Sequence, residues 1–86
     1  MKVVVIYKEQ TDYARQVIDY LRDFKIQTGH DLETLDPESP QGVDFCRTYD
    51  MMQFPTLIAL SDEGLMQNMW VGLPLPTISE VSYYVR

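Results

Sequence analysis

Val3-Val4-Val5-Ile6-Tyr7 is an unbroken apolar run rich in β-branched side chains, the pattern of a central strand covered on both faces. The periodicity then turns helical. Tyr13, Val17, Ile18, Leu21 and Phe24 recur at helical spacing, with Asp12, Arg15, Asp19, Arg22 and Asp23 between them. This predicts an amphipathic helix from about Asp12 to Gln27. Thr11 is placed as its N-cap, the hydroxyl accepting an orphan backbone N–H, and Gly29 as its left-handed terminus. Asp31-Leu32-Glu33-Thr34-Leu35 alternates apolar and polar positions, as an edge strand with one solvated face does. Asp36 to Pro40 breaks that strand. Ser39 before Pro40 is the N-cap and first-turn pair of a second, short helix whose apolar side is Val43, Phe45, Cys46, Tyr49 and Met52.

Thr56 to Leu60 reads as a third strand, Ser61-Asp62-Glu63-Gly64 as a hairpin turn, and Leu65 to Val71 as a fourth strand antiparallel to the third. Strict alternation puts Met66 and Trp70 on one face of the fourth strand and Leu65, Met69 and Val71 on the other. Gly72 to Pro76 is an extended connector. Thr77-Ile78-Ser79-Glu80 has the form of a capping box, with Glu80 reaching back to the threonine amide. It opens a last helix that packs through Ile78, Val81, Tyr84 and Val85. The order is βαβαββα. A right-handed crossover between the parallel strands makes this an α/β fold, a four-stranded mixed sheet with helices on both faces.

A chain of 86 residues suits one core, so a single domain is expected over 1–86 without an internal boundary. The longest apolar runs are strand-sized, which predicts no transmembrane segment, and Met1 to Lys8 lacks the long apolar region of a secretory signal. A cytoplasmic location is the resulting expectation. The net charge of -6, with lysines and arginines scattered along the chain, argues against nucleic acid and anionic membrane as partners. One cysteine cannot close an intramolecular disulfide, and His30, without a neighbouring cysteine, gives no zinc-ligand spacing. The glycines form no phosphate-cradling loop, so no cofactor or metal is expected. Glu9 and Asp12 suit a helix N-terminus through the backbone dipole, without acid/base chemistry.

Phe54-Pro55-Thr56 ahead of the third strand, within that element order, resembles the thioredoxin and glutaredoxin superfamily over the whole of Met1 to Arg86. Tyr49, Gly64 and Gly72 match its second-helix tyrosine, hairpin glycine and strand-ending glycine. The resemblance implies a thioredoxin-like fold and a cis bond before Pro55. It also implies that Phe54 presents its backbone N–H and C=O to an extended peptide or to glutathione. Lys8 resembles the lysine that contacts the glutathione carboxylate in glutaredoxins. The catalytic segment departs from the pattern. Gln10-Thr11-Asp12-Tyr13-Ala14-Arg15 carries Thr11 and Ala14 at the two sulfur positions. Disulfide exchange needs a thiolate nucleophile and a resolving thiol, so dithiol oxidoreduction at this place is excluded by composition.

The expected function is a redox-inactive thioredoxin-like module in which Lys8, Thr11, Tyr13, Phe54 and Pro55 bind a peptide, a protein or a small ligand. A peptide or protein partner is favoured over a glutathione-like ligand. Two alternatives stand beside it. Cys46 is most simply a buried packing residue, yet it is the thiol a monothiol or glutathione-using relative would employ. The fourth strand, or the region of Trp70, would serve a structural homodimer. Met51, Met52, Phe54, Met66, Met69 and Trp70 supply packing, with part of their surface suited to an adaptable partner contact.

Overall fold

The computed structural model describes residues 1–85. The elements follow in the order β1 (Lys2–Ile6), α1 (Ala14–Thr28), β2 (Glu33–Leu35), α2 (Pro40–Thr48), β3 (Thr56–Leu60), β4 (Met66–Val71) and α3 (Ile78–Ser82). This is the expected βαβαββα chain. The strands lie in the order β2-β1-β3-β4, with β1 parallel to β2 and the other neighbours antiparallel. The connections dictate those senses. The crossover through α1 is long enough to return the chain parallel, whereas the turn from Ser61 to Gly64 reverses it, Gly64 adopting φ 84°.

The continuous apolar runs of β1 and β3 are buried on both faces because the sheet divides the core in two. Val3, Val5, Leu57 and Ala59 pack with Val17 and Phe24 of α1 and Val81 of α3. Val4, Ile6, Ile58 and Leu60 pack on the other side with Met51, bordered by Phe45, Cys46 and Tyr49. Each fully buried aliphatic side chain contributes about 1.5–3 kcal/mol. With two layers of such residues on the central strands, these strands form the most strongly held part of the molecule.

Several boundaries differ from the sequence reading, each for a local reason. α1 begins at Ala14, and Tyr13 at its N-cap position makes no side-chain cap. Thr11 is not the cap: its hydroxyl donates to the Lys8 carbonyl at 2.8 Å and closes the turn before the helix. Gly29 ends α1 in the left-handed conformation, φ 78°, as expected. Asp31 and Leu32 lie outside β2, because only Glu33, Thr34 and Leu35 find partners in β1. Val43 and Met52, expected on the apolar side of the second helix, are exposed, Met52 by 85%. A bulge between Ala59 and Leu60 aligns Met66 with Leu60, which belongs to the cluster opposite Trp70, so simple alternation along β4 fails.

The caps of the later helices form largely as read. Ser39 Oγ accepts the Gly42 N–H at 3.0 Å, with Pro40 in the first turn. Thr77 Oγ1 accepts the Glu80 N–H at 3.2 Å, but the Glu80 carboxylate accepts from the threonine hydroxyl instead of the threonine amide. Among the described residues no helix is long and apolar enough to cross a membrane.

Candidate functional site

The loop between β1 and α1 meets the segment leading into β3 at one end of the sheet. The Lys8 N–H donates to Tyr13 Oη at 3.0 Å, and Thr11 Oγ1 donates to the Lys8 carbonyl at 2.8 Å. These two bonds fold residues 8–13 back on themselves and fix where the Lys8 side chain starts. Lys8 Nζ then sits 5.5 Å from the centroid of the Phe54 ring, a cation–π contact worth about 0.5–1 kcal/mol at an accessible site. Four of the five residues singled out in the sequence are thus brought together through named contacts.

Pro55, the fifth, joins them as support. It is fully buried, so its ring offers no surface to a ligand. The Phe54–Pro55 bond is cis, as is Leu73–Pro74. The Pro55 carbonyl accepts the Gly72 N–H at 2.8 Å, and the Gln53 carbonyl accepts from Thr56 Oγ1 at 2.6 Å. Between these two occupied carbonyls, the N–H and C=O of Phe54 have no hydrogen-bond partner among the described residues.

A cavity of about 190 Å³ opens beside Lys8, lined by Lys8, Glu9, Gln10, Asp36 and Glu38. Lys8 is its cation and three carboxylates surround it. Asp36 Oδ1 accepts the Glu38 N–H at 2.9 Å, which holds the far wall in a tight turn. Lys8 forms no ion pair among the described residues, so its ammonium is held only by the Phe54 ring. Burial, and after it the negative charge of Glu9, push the Tyr7 hydroxyl pKa up at the base of this loop. Sequence reasoning missed Asp36 and Glu38 as parts of the site, having read them only as a strand break. The available signal was topological: parallel β1 and β2 end side by side, which places their following loops together.

Another groove of about 230 Å³ is lined by Asp50 to Gln53, Thr56, Met69 and Val71. Met51 is core, while Met52 stands almost fully in solvent. The methionines therefore divide between packing and surface. Cys46 lies on α2 against the second cluster and is half-buried, more accessible than the sequence reading placed it. Burial raises its thiol pKa, the opposite of what an activated nucleophile requires. Among the described residues, no group of histidine, cysteine and carboxylate side chains is arranged to hold a metal ion.

No protein-family model and no curated protein matches this sequence. Among solved structures, thioredoxin 1 from the thermophilic eubacterium Thermosipho africanus TCF52B is similar, with a TM-score of 0.67 and 16% sequence identity. The match covers 99% of this chain and 90% of that one. At such identity the likeness speaks to architecture, and the architecture is thioredoxin-like.

Proposed function

We propose that this chain is a redox-inactive binding module that takes an extended peptide segment of a protein partner at the Lys8–Tyr13 loop and Phe54. The observation that carries this reading is the pair of unpartnered backbone groups on Phe54, set beside a folded loop whose sulfur positions hold Thr11 and Ala14. An extended segment adding to Phe54 gains strand-like hydrogen bonds, the mode by which sheet-edge receptors capture peptides. The Tyr13 ring and the Phe54 ring supply apolar contact, and the Lys8 ammonium attracts a carboxylate on the incoming chain.

The loop is preorganised for this task. Tyr13 Oη and Thr11 Oγ1 hold both the N–H and the C=O of Lys8, so little conformational freedom remains there to be lost on binding. Thiol chemistry has no corresponding support, since the one sulfhydryl is on α2 with a raised pKa.

The test uses a set of unstructured hexapeptides with free C-terminal carboxylates, screened by fluorescence anisotropy. Phe54→Ala and Tyr13→Ala are expected to weaken the best binder about tenfold or more while the far-ultraviolet circular dichroism stays unchanged. Lys8→Gln is expected to erase the preference for a free carboxylate over an amidated end. Unaltered affinity in the folded Phe54 and Tyr13 variants would refute the proposed site.

A further inference from the structure

The register of β3 and β4 tells which backbone groups of this edge strand face outward. The Gly72 N–H donates to the Pro55 carbonyl across the ladder at 2.8 Å. In an antiparallel strand the N–H and C=O of one residue point the same way, and successive residues alternate. With Leu57 opposite Trp70 and Ile58 opposite Met69, Trp70 and Asn68 direct their backbone groups toward β3. Met69 and Val71 direct theirs to the open edge.

The outward N–H of Met69 is already taken. It donates to Asn68 Oδ1 at 2.8 Å, and Asn68 Nδ2 in turn donates to Tyr84 Oη at 3.2 Å. The asparagine amide is therefore held at both of its ends, one on the strand and one on the segment that follows α3. Asparagine is a poor strand former, and neither bond helps the β3–β4 ladder. What the pair of bonds does is occupy the edge.

Beyond the bulge, which falls at Gln67 at the far end of β4 from Val71, the remainder of the edge lacks the usual charge and proline protections. β4 contains no charged residue and no proline, and Leu65, Met66 and Val71 are 65%, 53% and 53% exposed. A second copy of this chain is the occupant that fits. Antiparallel self-pairing centred on Met69 sets Met69 opposite its own copy and Asn68 opposite Trp70. It also carries the acidic turns at Asp62 and Glu63 to opposite ends of the joined strands, where they do not repel. The central bonds of that pairing need the Met69 N–H. We propose that Asn68 seals the β4 edge and so prevents strand-to-strand association of the chain with itself.

The test compares wild type with Asn68→Ala and Asn68→Val, reading mass by light scattering over a concentration series and amide exchange at Met69 by NMR. Wild type is expected to stay monomeric with a protected Met69 amide. Both variants are expected to exchange that amide about tenfold faster at dilutions where they are monomeric, and to move toward twice the monomer mass as concentration rises. Adding Val71→Lys to either variant is expected to restore the monomer. Tyr84→Phe releases only the far end of the asparagine and leaves β4 unaltered, and it too is expected to speed exchange at Met69. A wild type that dimerises, variants that stay monomeric, dimers that survive Val71→Lys, or an unchanged Met69 rate in Tyr84→Phe would each overturn the proposal.

Discussion

The Tyr20 hydroxyl is buried without a hydrogen-bond partner among the described residues, and it is a feature of stability more than of function. Burial, with a smaller contribution from the Glu80 charge, pushes its pKa up to about 12 from an ordinary value of 10.0. Because the folded pKa lies above the unfolded one, the neutral hydroxyl favours the fold fully below pH 10 and loses that effect as pH rises toward 12. Stability is therefore expected to fall through this alkaline window, with one tyrosine ionising late in an ultraviolet titration. Tyr20→Phe removes the late tyrosine and an unsatisfied donor together. Its stability in urea is expected to equal or exceed that of wild type by up to about 1 kcal/mol, and a clear loss would mean the hydroxyl has a bonding role. Tyr13 is the contrasting case, since its hydroxyl oxygen accepts the Lys8 N–H and thereby shapes the site.

At the scale of elements, the entry to α2 is the most tightly constrained. A Cβ built on Gly42 runs into the Asp36 carbonyl oxygen, with the Asp36 carbonyl carbon at 2.7 Å and the Pro37 Cα at 2.9 Å. All three are backbone atoms, so no side chain can swing aside. Gly42→Ala is expected to destabilise the protein by about 2 kcal/mol in chemical denaturation, despite the better helix propensity of alanine. A neutral or stabilising result would show that the loop yields freely. The elements themselves were legible because their periods and punctuation agree: a β-branched run for β1, helical spacing with Gly29 after it for α1, Ser39-Pro40 for α2. The site was legible in part. Lys8, Thr11, Tyr13 and Phe54 were singled out through a resemblance and lie together in the fold, but the Thr11 hydroxyl chooses the Lys8 carbonyl over a helix amide, which no pattern in the chain announces. Asp36 and Glu38 join the cavity by tertiary adjacency, and the bulge opposite Ala59 and Leu60 leaves no sequence mark that alternation alone would reveal.

The whole molecule combines a doubly covered sheet centre with two different ends. At the Phe54 end the backbone is left open beside a lone lysine, whereas on the β4 edge the Met69 N–H is closed by Asn68. Under the two proposals, an extended partner is directed to one place on the sheet and a second copy of the chain is kept from another. The net charge of -6 reinforces the arrangement through mutual repulsion between copies.

The most direct test of this account is an amide NMR titration of the isotopically labelled protein with the strongest-binding hexapeptide. Saturable shifts confined to residues 8–13, Phe54 and their immediate neighbours, with the Phe54 amide moving most, are the predicted result. Shifts confined to another surface, with the Phe54 amide unmoved at saturation, would contradict it.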